Sequence, residues 1–311
     1  MGKIHAVPDM NVLLHAIRTV DLSIYHFLSG VAGNWILDRL ASQEETNNLF
    51  KGGIFFAMYW YLWFRIDRDR ERSRRAIITI VIGTILAIIV ARTIACIAPF
   101  RLRPIYDPTL AHPSYSIPLT ANFENWSAFP SDTAAYFFAL AFGLAYLLRR
   151  LAIPIVLYTA GWVCLPRMYL GLHYGSDIVV GIAIGITMVW VSLRSDQLQS
   201  IVVRRLLAAM ETRPQWFYAV AFLVSFEMAT LFNGLRSAGR AVLHAALVGL
   251  HLGSVHSGPS SSPIDEWGGL VAIAGFLVTA AYVVCVLYRK LHGVQVVLQR
   301  LAKWSTSARL K

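Results

Sequence analysis

Residues 167–194 read RMYLGLHYGSDIVVGIAIGITMVWVSLR. The second half, from about 176 to 193, is apolar almost without interruption. Coiled into a helix, it is long enough to cross the ~30 Å hydrocarbon core of a bilayer. The first half sets Arg167, His173 and Asp177 directly against that span. A charged group at membrane depth costs ~2.5 kcal/mol or more, so these residues need a chemical reason to be there. His173 and Asp177 are spaced to share one face of a helix. An aspartate that accepts the proton of one imidazole nitrogen fixes the tautomer and leaves the other nitrogen free to attack. Arg167 offers a planar donor fork suited to phosphate oxygens. A pair that merely anchors a helix end explains any two of these residues; the three together point to a site.

The rest of the chain extends the pattern. It is 57% hydrophobic and 14% charged, against roughly 25% charged residues in soluble domains. That shortfall places the protein in the membrane class. Further apolar runs lie at about 49–66, 76–98, 133–148, 151–166, 215–233 and 268–288. The expected fold is an all-α integral membrane bundle of about six to seven transmembrane helices. Three regions are expected: an N-terminal helical segment over 1–48, a membrane core over 49–195, and a C-terminal helical hairpin with a basic tail over 196–311. Within the first, the stretch 22–40 alternates apolar and polar patches and reads as one or two helices lying in the interface.

The net charge of +11 does not indicate nucleic acid, because the basic residues fall in short clusters between the apolar runs. Arg65–Arg75, Arg149/Arg150, Arg194–Arg213 and Arg289/Lys290 all lie on one side if the spans alternate, and the positive-inside bias makes that side the cytoplasm. Cys96, Cys164 and Cys285 lie in or beside apolar segments and have neither metal nor disulfide spacing. The N-terminus lacks the continuous apolar core of a cleavable signal peptide.

Alternating topology brings two more segments to the membrane face that carries His173. Pro99-Phe-Arg-Leu-Arg-Pro104 supplies Arg101 and Arg103, with Pro104 halting the chain so that Arg103 can turn inward. Arg101 reads equally well as an interfacial residue whose charge snorkels to the surface. Phe129-Pro-Ser-Asp-Thr133 opens a span. Ser131 and Asp132 there mark a helix start, which is both a cap and an anion site made of unpaired N–H groups.

These three segments resemble the signature of the type 2 phosphatidic acid phosphatase (PAP2) superfamily, K-x6-R-P, P-S-G-H and S-R-x5-H-x3-D. The R-x5-H-x3-D part is met in full by Arg167, His173 and Asp177. The resemblance implies a six-helix membrane core and a metal-free, cofactor-free phosphatase. It implies His173 as nucleophile with Asp177 as its partner, and Arg103, Ser131 and Arg167 as phosphate ligands; the backbone at Asp132 is expected to add a further donor. Three positions depart from it. Cys96 stands where the lysine belongs, and Arg92, one helical turn earlier, reaches the same space. Pro166 replaces the serine. Thr133 replaces the histidine that protonates the leaving group, a contribution typically worth ~10²–10⁴ in rate.

The loss at Thr133 favours a substrate whose leaving group needs no acid, such as a polyprenyl diphosphate. Alternatively His112, Asp132 or Glu124 in the same outer loop supplies the proton, His112 being best matched to neutral pH. The other readings are a phosphotransferase or phosphatase acting on lipid A or another glycolipid, and a non-catalytic lipid-phosphate binding or transport protein. The expected partners are the lipid phosphate substrate and membrane lipids. The expected location is a bacterial inner membrane, with the site facing the periplasm or exterior.

Overall fold

The apolar run that begins at Ala76 continues without a proline to Ile97 and forms one helix with the charged residues before it, α4 (Arg70–Ile97). In the computed structural model, which describes residues 10–66, 69–115, 126–235 and 237, all regular structure among the described residues is helical. Ahead of α4 come α1 (Met10–Ser29), α2 (Trp35–Thr46) and α3 (Ile54–Phe64), the last entered through a π-helical turn at Leu49–Gly53. After it come α5 (Asp132–Leu147), α6 (Ala152–Tyr158), α7 (Leu165–Tyr169) and α8 (Gly175–Arg194). A π-helical turn at Thr159–Cys164 joins α6 to α7, so that 149–169 is one continuous helical stretch. Pro166 has no N–H to give to an α-helical ladder, and the widened turn just before it accommodates that loss.

Among the described residues, three helices are long and apolar enough to cross a membrane: Arg70–Ile97, Arg149–Tyr169 and Gly175–Arg194. α5 is a shorter apolar helix. The runs expected as spans at 49–66 and 215–233 hold shorter helices, α3 and α10 (Pro214–Ala229). The bundle's outer surface is apolar: Ile97, Ile153, Val179 and Trp190 are exposed. Its interior carries hydroxyls, and each is satisfied. Thr84 donates to the Ile80 carbonyl, Thr159 to that of Ile155, and Tyr59 to that of Leu140, at 2.8, 2.8 and 2.7 Å. Apolar outside with paired polar groups inside is the arrangement that lipid favours.

α5 is the buried centre, packed between α4 and α8. Glycines set the distance of approach. A Cβ built on Gly181 would lie 2.4 Å from the Ser131 carbonyl oxygen, and one on Gly185 would lie 2.2 Å from that of Ala135. Any side chain at either position would drive α8 off α5, so the backbones meet only because these residues have none. Close contact at this end has a functional consequence. The Ser131 N–H donates to the Asp177 carbonyl at 3.1 Å, tying the N-terminus of α5 to that of α8.

The N-terminal helices pack against the same end. α1 contacts α7 and α8, and α2 contacts α7. α1 buries Asp21, Tyr25 and Leu28 while exposing Val12, Leu14, Val20 and Phe27. Ala41 of α2 joins Tyr169, Leu170 and Leu172 in one cluster, with Ile105 and Tyr115 against it. The helices start earlier than the 22–40 stretch suggested, and two aspartates in them are buried. Asp21 is 2% exposed and Asp38 1%, the latter receiving the hydroxyl of Tyr169.

By its contacts the chain forms two compact units, the first running to Arg204 and the second taking up the chain from Arg205. The second contains most of α9 (Arg204–Thr212) and all of α10. Glu227, near the end of α10, accepts the Leu235 N–H at 3.1 Å. The expected span at 268–288 and the basic tail lie outside the described residues.

Candidate active site

The site is built where α4 ends and α5 and α8 begin. Beyond Ile97 the chain is extended up to Arg103, and Pro104 opens a short turn over Pro104–Tyr106. The Ile105 N–H then donates to the Gly171 carbonyl at 2.9 Å. Gly171 has φ +67°, and a Cβ there would come within 3.3 Å of the Ile105 nitrogen. Glycine is therefore required both for the left-handed turn and for the close crossing. The same turn is closed by Leu172 N–H donating to the Arg167 carbonyl at 2.9 Å, and it delivers His173 to the mouth of α8.

His173 is 2% exposed. Its Nδ1 lies 2.8 Å from the Ala128 carbonyl oxygen. A carbonyl only accepts, so Nδ1 carries the hydrogen and the lone pair of the neutral ring sits on Nε2. Nε2 faces the Arg103 guanidinium, 3.3 Å from Nη1. Burial holds the imidazole pKa well below its ordinary value, and the positive charges of Arg103 and Arg167 push it the same way. The ring is thus neutral at neutral pH, with its free nitrogen turned toward the Arg103 guanidinium.

Arg103 is itself buried, and its fork is fixed by backbone carbonyls. Nε donates to Trp126 at 3.2 Å, and Nη1 donates to Leu172 at 2.8 Å. Burial first, then repulsion from Arg167, pulls its pKa down to about 10, so it remains a cation at neutral pH. Arg167 is 6% exposed, and its Nε makes no hydrogen bond among the described residues. A buried donor left unsatisfied costs ~1–3 kcal/mol, and a phosphate oxygen would satisfy it.

Asp177 stands apart from the role expected of it. Its Oδ2 is 4.0 Å from His173 Nδ1, too far for a hydrogen bond, and the Ala128 carbonyl takes the position of orienting acceptor. Asp177 instead caps α8, accepting the Tyr174 N–H at 2.8 Å, and pairs with Arg101. Arg101 is drawn inward rather than snorkelling. It donates to Ser176 Oγ at 2.8 Å and to Asp21 Oδ2 at 2.7 Å, and it lies over the Tyr174 ring at 4.2 Å. Asp21 also accepts the backbone N–H and the hydroxyl of Ser176, at 2.8 and 2.6 Å. This clamp joins α1 to α8 across about half the length of the chain. Its only trace in the sequence is an aspartate in the middle of a helix with apolar faces.

The remaining candidates divide. Ser131 is fully buried and caps α5, its Oγ accepting the Ala134 N–H at 3.3 Å. Arg92 pairs with Asp132 at 2.6 Å and lies 4.4 Å from the Trp126 ring centre. Asp132 also accepts the Thr133 N–H at 2.8 Å and lies within electrostatic reach of His173, Arg103 and Arg167. Thr133 is buried beside it. His112 is exposed and, among the described residues, is brought into no hydrogen bond or ion pair with the site. Glu124 lies outside the described residues. Among the described residues, no group of three or more His, Cys, Asp or Glu side chains is placed to hold a metal ion.

Two N-terminal helix ends, a neutral imidazole and a cluster of arginines converge here, an arrangement matched to an anion that the imidazole can attack. Residues 99–200 match the family model described as the PAP2 superfamily. Over this segment the chain is similar to the PAP2 superfamily. PAP2 proteins are phosphatases acting on phosphate esters. The matched stretch holds Arg101, Arg103, Ser131, Asp132, Thr133, Arg167, His173 and Asp177, and stops short of Arg92. Neither the curated proteins nor the solved structures yield a match to the chain.

Proposed function

We propose that this protein is a phosphatase of a membrane lipid diphosphate, a polyprenyl diphosphate above all, working through a phosphohistidine on His173 at the outer membrane face. The observation that carries the proposal is the neutral imidazole whose Nε2 lone pair lies beside Arg103. In the first step Nε2 attacks the terminal phosphorus while the bond to the bridging oxygen breaks, and the lipid monophosphate leaves. Arg103 and Arg167 neutralise the equatorial oxygens, as preorganised cations do for a transferring phosphoryl group. The helix ends at Ser131–Thr133 and Gly175–Asp177 add their dipoles. In the second step water attacks the phosphorus, releasing phosphate and returning the electron pair to Nε2.

The diphosphate is favoured because the acid position is Thr133, and His112 is exposed. A departing phosphate needs little protonation, whereas an alkoxide needs it badly. Detergent-solubilised protein should therefore release phosphate from a polyprenyl diphosphate with kcat/KM ~10²-fold or more above that for phosphatidic acid, the scale of lost general-acid help. Equal rates on the two would mean that another group supplies the proton. No release from either would favour the reading as a lipid-phosphate binder, to which Thr133 also points.

Asp21 acts in this scheme as a positioning residue, holding Arg101 and hence the start of α8. Asp21→Asn is expected to lower kcat ~10-fold with KM little changed, the effect of a small misplacement transmitted to reacting groups. A variant with unchanged kcat and a lowered Tm would show that the clamp only fastens α1.

A further inference from the structure

We propose a second anion site at the end of the bundle away from His173, one that takes the phosphate-bearing headgroup of an anionic lipid from the opposite leaflet. α4 and α5 run antiparallel, so the N-terminus of α4 meets the C-terminus of α5, about 24 Å along α5 from Asp132. A cavity of about 750 Å³ opens there. Four guanidinium groups line it, those of Arg65, Arg72, Arg149 and Arg150, against one carboxylate, Asp69.

The arginines at this end are not all alike. Arg74 is used by the fold, donating to the Trp63 carbonyl at 3.2 Å and lying 5.1 Å from its ring centre. Arg75 is paired with Glu71 at 2.7 Å. Arg72, Arg149 and Arg150 have no such hydrogen bond or ion pair among the described residues, and all three border the cavity. Planar forks of this kind take phosphate oxygens two at a time. Ser73 and Tyr146 add hydroxyls to the same wall.

The floor points to a lipid as the source of the phosphate. Leu147, Leu148 and Leu151 line the cavity together with Ala76, which is the first residue of the apolar run of α4. Arg149 opens the membrane-crossing stretch 149–169. The cavity therefore lies beside the start of a membrane-crossing stretch, lined by cations and leucines together, a lining suited to a headgroup joined to acyl chains. A phosphate free in solution shares the headgroup chemistry but would make no use of the leucines.

The test uses the full chain in detergent and native mass spectrometry with two probes, dioleoyl-phosphatidylglycerol and dioleoyl-phosphatidylcholine. The wild type is expected to retain the anionic lipid ~10-fold better than the zwitterionic one, about 1.4 kcal/mol. Arg149→Gln/Arg150→Gln is expected to lose that preference while keeping the wild-type Tm and rate of phosphate release. Arg204→Gln/Arg205→Gln, which removes the same charge elsewhere, is expected to keep it. If inorganic phosphate or diphosphate displaces the lipid from the wild type at millimolar concentration, the site is upheld with a soluble ligand as its source. Equal retention of both lipids by the wild type, or an equal loss in the two double variants, overturns the proposal in favour of a diffuse basic surface.

Discussion

His173→Ala should reduce phosphate release from a polyprenyl diphosphate by ~10³-fold or more, the range seen when an attacking nucleophile is removed. The substitution deletes the group proposed to form the covalent intermediate. It also frees the Ala128 carbonyl but leaves Arg103 and Arg167 in place to bind phosphate, so KM should change far less than kcat. The wild-type pH profile carries the same claim. Burial and the two arginines depress the pKa of His173, so the ring stays neutral as pH falls through ~6.5, the ordinary value. The acid limb of kcat/KM should therefore lie clearly below that point. Stability moves in the opposite sense. Below ~6.5 the unfolded chain takes up a proton that the folded imidazole refuses, so the contribution of His173 to stability is full above that pH and declines in acid.

Arg103→Lys should cost ~10²–10³ in kcat/KM, the scale for removing one preorganised donor from a developing charge. Lysine keeps the positive charge but loses the fork. The guanidinium spans the Trp126 and Leu172 carbonyls while facing His173 Nε2, and an ammonium cannot hold all three directions at once. Arg103→Ala should be worse in two respects. It removes the charge, and it strands buried carbonyl oxygens, at ~1–3 kcal/mol each. Comparing the two variants by Tm and by phosphate release separates the structural from the chemical part. A lysine variant with wild-type activity would show that charge alone suffices and that the fork belongs to the fold.

Much of this was legible in the chain because chemistry at a membrane surface leaves an uneconomical pattern. Arginines 103 and 167 and His173 stand beside apolar spans, at a spacing that alternating helices bring together, and the structure places them in mutual contact or electrostatic reach. What could not be read falls into three kinds. The acceptor that fixes the His173 tautomer is the Ala128 carbonyl, a backbone atom that no side-chain pattern announces, and the aspartate four residues on drew the assignment. The Arg101–Asp21 clamp joins residues far apart in sequence, so nothing local distinguishes a buried Asp21 from a wet one. The approach of α8 to α5 rests on Gly181 and Gly185, whose spacing is visible but whose partners, Ser131 and Ala135, are set by packing.

The most direct test of the central claim is to trap the intermediate. A polyprenyl diphosphate carrying ³²P in its terminal phosphate is mixed briefly with the detergent-solubilised protein, and the reaction is stopped in alkali, where phosphohistidine survives. The expected result is a label that is stable to base, labile to acid and located on the peptide containing His173. Phosphate release by the wild type with no label at His173, or with label on another residue, would contradict it.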